Sequence, residues 1–164
     1  MRLTTKGRYA VAAMADLAAH AADGAPAPAS DIALRQGISP GYLDQLMAKL
    51  RRAGLVESAR GAAGGYRLAA PAGETRIAEI VAAVDEEIKT TACAPGAAKG
   101  CGGASARCLT HDLWDELGRQ IDIFLNAVTL ADVVERRVLG MAAVNAPDRA
   151  PTGASKREPE GARL

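Results

Sequence analysis

The sequence predicts a mainly α fold with one small β-hairpin and one long helix towards its C-terminal end, on three observations. Apolar residues recur at helical spacing through residues 5–22, through 39–53 and again from Thr110. Two short strand candidates flank a glycine-rich run, the pattern of a hairpin. The apolar content, 49%, is drawn largely from alanine, which favours helix and buries little area. Only five aromatics are present, Tyr9, Tyr42, Tyr66, Trp114 and Phe124, so the core is expected to be small and to be completed by a second chain.

The elements follow in order. Tyr9, Ala13, Leu17 and Ala21 form one stripe of an amphipathic helix over 5–22, ended at Asp23-Gly24. After the Ala25–Pro28 connector, a short helix over about 30–36 is closed by Gly37. The next helix has the clearest signal. Ser39 suits its N-cap, Pro40 its first position and Gly54 the residue past its end, while Leu43, Leu46, Met47 and Leu50 repeat at i, i+3, i+4, i+7. Gly41, Asp44, Gln45, Lys49 and Arg52 lie on the opposite face. Two helices joined by so short a turn make a helix-turn-helix. Leu55–Arg60 and Tyr66–Leu68 read as strands around Gly61-Ala62-Ala63-Gly64-Gly65, and a helix-turn-helix followed by a hairpin is a winged helix.

Residues 77–84 read as a helix capped by Thr75. Residues 85–108 have no period, are dense in Gly and Ala and hold all three cysteines, the mark of a functional or disordered loop. From Thr110 a helix is expected to about Asn126, with Leu113, Leu117, Ile121, Phe124, Leu125 and Val128 along one side. Thr129 and Asp132 cap a short helix to about Arg137. The polar, Pro-rich tail from Pro147 is expected to be disordered. The domain reading is therefore a winged helix-turn-helix over 1–84, a cysteine-rich loop over 85–108, a long helix with its short follower over 109–140, and a tail over 141–164.

Composition excludes several functions. No P-loop, dinucleotide-binding G-x-G-x-x-G, nucleophile elbow or H-E-x-x-H is present, so no enzyme of those classes is expected. No stretch reaches the roughly 18 uncharged apolar residues that cross a bilayer. An odd cysteine count without a leader points to a reducing, cytoplasmic setting. The net charge of +1 conceals an asymmetry: residues 1–67 carry nine Lys/Arg against five Asp/Glu, a net +4, and the remainder is acidic. A basic module joined to an acidic one suggests a polyanion-binding head.

The cations lie where double-stranded operator DNA would need them. Arg2, Lys6 and Arg8 stand at the N-terminus, Lys49, Arg51 and Arg52 on the third helix, and Arg60 and Arg67 on the hairpin, all candidate phosphate contacts. Ser39, Tyr42, Asp44 and Gln45, early in the recognition helix, are the candidates to read base edges. Arg60 is placed to enter the minor groove, with Gly61 and Gly64 giving the wing tip its freedom. Plainer roles exist for each: Ser39 as a cap, Tyr42 and Tyr66 as core, the basic residues as a solvated face.

The cysteines fall in Cys93-x7-Cys101-x6-Cys108-x2-His111. Three thiolates and an imidazole are a complete ligand set for zinc or for an iron–sulfur cluster. Structural zinc sites usually contain a tight C-x2–4-C pair, and the only close pair here is Cys108-x2-His111; the wide spacings suit a cluster at least as well. His20 has no second ligand near it in the sequence and reads as structural.

The opening MRLTTKGRYAV, the stretch GISPGYLDQLMAKLRRAGLV, the wing RGAAGGYRL, the segment IVAAVDE and above all CLTHDLW resemble the IscR group of bacterial winged-helix regulators, relatives of NsrR and RirA, over roughly residues 1–137. The resemblance implies a homodimeric transcription factor that represses iron–sulfur cluster assembly genes. It further implies one 2Fe–2S cluster per subunit on Cys93, Cys101, Cys108 and His111, dimerisation through the long helix, and an assembly scaffold as cluster donor. Three positions depart from the group's pattern: Ala62 and Ala63 replace a proline and a glycine of the wing, the first two cysteine gaps are slightly longer, and Asp44 stands where a glutamate is common. A nitric-oxide- or iron-responsive regulator of the same family and a zinc-binding interaction module are the alternatives.

Overall fold

The computed structural model describes residues 5–20, 24–61, 64–84 and 109–140. They form α1 (Thr5–His20), α2 (Ala29–Gln36), α3 (Pro40–Arg52), β1 (Val56–Ala59), β2 (Gly65–Leu68), α4 (Ile77–Ala83), α5 (His111–Ala127) and α6 (Leu130–Val134). The architecture is mainly helical with one antiparallel hairpin, as the patterning predicts.

α1 is the hub and packs against α2, α3, α4, α6 and β2. Its buried face is made largely of small residues, Gly7, Ala10 and Ala13, with Met14 and Leu17 as the larger anchors. Small side chains let neighbouring backbones approach closely, but each contributes little transfer free energy. The larger payload comes from Leu43, Leu46, Met47 and Leu50 of α3, all buried, with Ile80, Val81, Val84 and Leu130 closing the other side.

The turn between α2 and α3 is set by Gly37, left-handed at φ 62. Its N–H and that of Ile38 bond back to Leu34 and Ala33, and Ile38 is buried, which ends α2 in a glycine-capped motif. Ser39 takes the extended N-cap backbone, but its hydroxyl makes no cap bond; Pro40 at the next position removes one of the donors a cap would satisfy. The register of the hairpin runs Val56↔Leu68, Glu57↔Arg67, Ser58↔Tyr66, Ala59↔Gly65.

The connector between α1 and α2 does more than link them. Ala27 pairs with Tyr66 through two backbone bonds of 2.8 and 2.9 Å, which lays a third short strand segment on the hairpin. A Cβ at Gly65 would collide with the Ala27 carbonyl, so only glycine permits this approach.

At the start of α4 the structure departs from the expected cap. Thr75 is buried and its hydroxyl donates to the Pro71 carbonyl at 3.3 Å, while Arg76 holds the N-cap position and its N–H donates to Glu79 at 2.9 Å. The reason lies at the α5–α6 junction: Ile77 N–H bonds to Val128 O and Leu130 N–H to Thr75 O, a short bridge that holds residues 75–77 extended. α6 has the predicted Thr129–Asp132 capping box: the Asp132 N–H donates to the Thr129 hydroxyl oxygen at 3.1 Å and the Thr129 N–H donates to the Asp132 carboxylate at 3.0 Å. It stops at Val134, short of the expected Arg137, and Arg136 lies at φ 57.

One buried polar cluster fixes the helix-turn-helix to α1. The Asp16 carboxylate is fully buried and accepts from Arg35 Nε at 3.0 Å, Arg35 Nη2 at 2.7 Å and Gln36 Nε2 at 2.8 Å. His20 bonds through Nδ1 to the Asp16 carbonyl, in keeping with the structural role expected of it. Burial pushes the Asp16 pKa up, but the Arg35 and Gln36 hydrogen bonds outweigh it and hold the group below its ordinary 3.8.

Two predictions follow from these contacts. The stability that Asp16 contributes is complete above about pH 3.8, its unfolded value, and is lost as pH falls through the lower native value. Asp16→Asn is therefore expected to cost on the order of 2 kcal/mol at pH 7, less than a fully buried pair because Arg35 keeps a third of its side chain in water. The cost holds from pH 7 down to about pH 4 and shrinks only below 3.8, so the urea midpoints of the two proteins stay apart across the neutral range and converge as pH falls below that value. Gly65→Ala is expected to lose about 1–3 kcal/mol by overpacking, with accelerated amide exchange at Ala27 and Tyr66.

Candidate nucleic-acid interface

α3 presents two unlike faces. Leu43, Leu46, Met47 and Leu50 are buried, and Ser39, Gly41, Asp44 and Gln45 are exposed at its N-terminal half, the part expected to meet base edges. No acidic residue lies in the first turn of α3, so the positive end of its dipole is not offset there. Tyr42 is half-buried and packs edge-on against Tyr9 of α1, with ring centroids 5.9 Å apart at 78°. That pair anchors the start of α3 on α1, and Lys6 stands exposed in the first turn of α1. Tyr9 was legible in the sequence only as one member of an apolar stripe; its service to the recognition helix comes from the crossing of α1 and α3.

The basic residues at the C-terminal turn of α3 are aimed at the protein itself. Lys49 is half-buried, with Nζ 3.5 Å from the Val84 carbonyl. Arg51 donates to the Ser58 hydroxyl of β1 at 3.3 Å and Arg52 to the Ala48 carbonyl at 3.3 Å. On the wing, Arg67 is held by Glu57 directly across the hairpin at 2.6 and 2.9 Å, so its charge is offset where the +4 count placed it. Glu57 is among the five acidic residues of the +4 count, but a sum does not show which cation it neutralises; cross-strand register is the signal that pairs it with Arg67.

The wing tip is built as the glycines require. Gly61 lies at φ 105, and its carbonyl accepts from Gly64 N–H at 2.9 Å. A Cβ on Gly64 would come within 2.7 Å of the Ala59 carbonyl. Arg60 is exposed beside this turn, at the end of β1. Ala62 and Ala63 lie outside the described residues, as do Arg2, Cys93, Cys101 and Cys108.

His111 opens α5 and is buried, at 3% exposure. Among the described residues no three His, Cys, Asp or Glu side chains gather as a metal site. The expected apolar stripe of α5 divides in two. Phe124 and Leu125 pack on the core and Val128 is buried, whereas Leu113 is 62% exposed, Trp114 44% and Leu117 36%, with Leu109 fully exposed just before the helix. No helix among the described residues is long and apolar enough to cross a membrane.

Comparison with known proteins agrees with this geometry. The Rrf2 family, described as iron-dependent transcriptional regulators, matches residues 3–136. The HTH-type transcriptional regulator IscR of Photobacterium profundum is 52% identical over 134 residues, covering 82% of this chain and 76% of that protein. Among solved structures, T. potens IscR superposes with a TM-score of 0.66 at 34% identity, covering 84% of this chain and 88% of that one. CymR, the global cysteine regulator of B. subtilis, superposes with a TM-score of 0.69 at 29% identity, covering 83% and 98%. These relatives are regulators and not enzymes, and their shared fold is the winged helix described above. The chain belongs to the Rrf2 family and is an IscR-like transcriptional regulator.

Proposed function

We propose that this protein is a cytoplasmic, homodimeric repressor of iron–sulfur cluster assembly genes that binds double-stranded operator DNA and holds one 2Fe–2S cluster per subunit. The observation that carries the DNA reading is the exposed N-terminal half of α3, with Ser39, Asp44 and Gln45 in water beside a glycine-built wing that presents Arg60. Lys6, Arg60 and, in the sequence, Arg2 supply phosphate or minor-groove contacts. Asp44 and Gln45 reach base edges, an acceptor and a bidentate amide respectively.

The cluster reading is supported by the donor set and by one buried residue. Cys93, Cys101, Cys108 and His111 offer three thiolates and an imidazole, which suit a 2Fe–2S centre. His111 is removed from solvent at the first position of α5, where a ligand would be shielded. When bound, the cluster supplies a group whose gain or loss reports on cluster supply. The chain's part is to hold it at the base of α5, on the helix whose exposed Leu113, Trp114 and Leu117 are suited to packing against a second copy. A cluster-assembly scaffold is the natural donor.

Two measurements test the reading. Anaerobically purified protein is expected to be coloured, with iron and sulfide in equal amounts, and Cys93→Ser, Cys101→Ser or Cys108→Ser to bleach it while leaving it folded. A colourless protein with one zinc supports the interaction-module alternative, and absorbance retained by all three variants rejects the ligand assignment. In operator titrations at two salt concentrations, Gln45→Ala is expected to lose about 1–3 kcal/mol on cognate DNA with an unchanged salt slope, because it reads a base and not a phosphate.

A further inference from the structure

Lys49 has the spacing of a phosphate contact, yet its side chain turns inward from α3. Its Nζ lies 3.5 Å from the carbonyl of Val84, and Val84 is fully buried at the C-terminal end of α4. The last carbonyls of a helix have no intrahelical donor and carry the negative end of its dipole, so an ammonium group there is a favourable partner. Around this contact Leu46, Met47 and Leu50 of α3 share the core with Ile80, Val81 and Val84 of α4. The lysine stem therefore lies along apolar surface while its head reaches the Val84 carbonyl.

The place of that oxygen in the chain gives the contact its interest. Val84 is the residue from which the sequence enters Asp85-Glu86-Glu87 and then the cysteine segment, whose far end returns at His111. α3 is a rod of 13 residues, about 20 Å long, with its reading residues at one end and Lys49 near the other. A displacement at Val84 would therefore act on Lys49 and, through it, on the rod whose opposite end carries Asp44 and Gln45.

We propose that Lys49 is a positioning residue that passes the state of the cysteine segment to the recognition helix, through its bond to the Val84 carbonyl and not through a DNA phosphate. The proposal rests on the cluster-sensing reading above and adds to it the residue that couples the two parts. The coupling is energetic and of the modest size that one long, part-buried contact can carry.

The test uses the full chain as wild type, Lys49→Met and Lys49→Arg, each with and without its cluster, titrated against one operator over a salt series. The expected result is a ratio of affinities between the two forms that differs from one in wild type, falls to within about twofold of one in Lys49→Met, and is restored in Lys49→Arg. The salt slope stays unchanged throughout. A wild-type ratio kept by Lys49→Met overturns the proposal alone. Equal weakening of both forms with a slope lower by about one makes Lys49 a phosphate contact and also overturns it. A wild-type ratio of one rejects the sensing reading and this proposal together. In the cluster-free chain, amide exchange at Ile80–Val84 is expected to quicken in Lys49→Met and to recover in Lys49→Arg; equal exchange in all three proteins overturns the proposal without reference to the cluster.

Discussion

The buried carboxylate of Asp16 is the constraint on which the orientation of the reading head depends. α2 has only eight residues, and just Ile32 and Ala33 of them are buried, too little apolar contact to fix its rotation on α1. A carboxylate that must find donors after leaving water supplies what packing lacks. Arg35 approaches it with two nitrogens and Gln36 with a third donor, and a fork of that kind has one geometry in which all bonds are made. The gain in net stability is limited, because desolvating the carboxylate offsets much of the attraction. Its larger effect is to select one placement of α2. Since α3 follows after a turn whose backbone is fixed by Gly37 and Ile38, that choice is inherited by the face bearing Asp44 and Gln45.

The same economy recurs elsewhere in the molecule. A core built on alanine-rich α1 buries little area per residue, and the elements around it are short. Backbone bridges compensate at two places. Ala27 pairs with Tyr66, tying the wing to the connector that precedes α2, and residues 75–77 pair with 128–130, tying α4 to the α5–α6 corner. The first bridge anchors the hairpin to the helical core and the second anchors α4 to the end of α5. The wing, the start of α4 and the C-terminal end of α5 are thus held by a handful of directional backbone contacts.

What the sequence revealed of this arrangement divides by range. Gly37, Pro40, Gly54 and the Thr129–Asp132 box act within a turn of their own residue, and they placed α2, α3 and α6 to within a residue or two at most ends. The apolar stripe of α3 likewise separated its buried face from the face carrying Ser39, Asp44 and Gln45. The contacts that orient the elements join residues far apart in the chain. Asp16 and Arg35 are 19 residues apart and Lys49 and Val84 are 35, and no local pattern marks either pair. Charge counting found the basic half but not its internal pairs, for the same reason. Long basic side chains choose among carbonyls, hydroxyls and carboxylates that only the fold brings near, so Arg67 went to Glu57 and Arg51 to Ser58.

The divided stripe of α5 connects the two halves of the proposed function. Phe124, Leu125 and Val128 spend the C-terminal half of the helix on the winged domain, leaving Leu113, Trp114 and Leu117 in water on the half that begins with buried His111. An aromatic and two leucines exposed together on one helix would gain several kcal/mol if a second copy covered them. A ligand at His111 would restrain the same turns that such a copy must meet. Under the proposed function, cluster occupancy and dimer contact would not be independent: whatever orders the first turns of α5 would reduce the entropy lost when two copies associate.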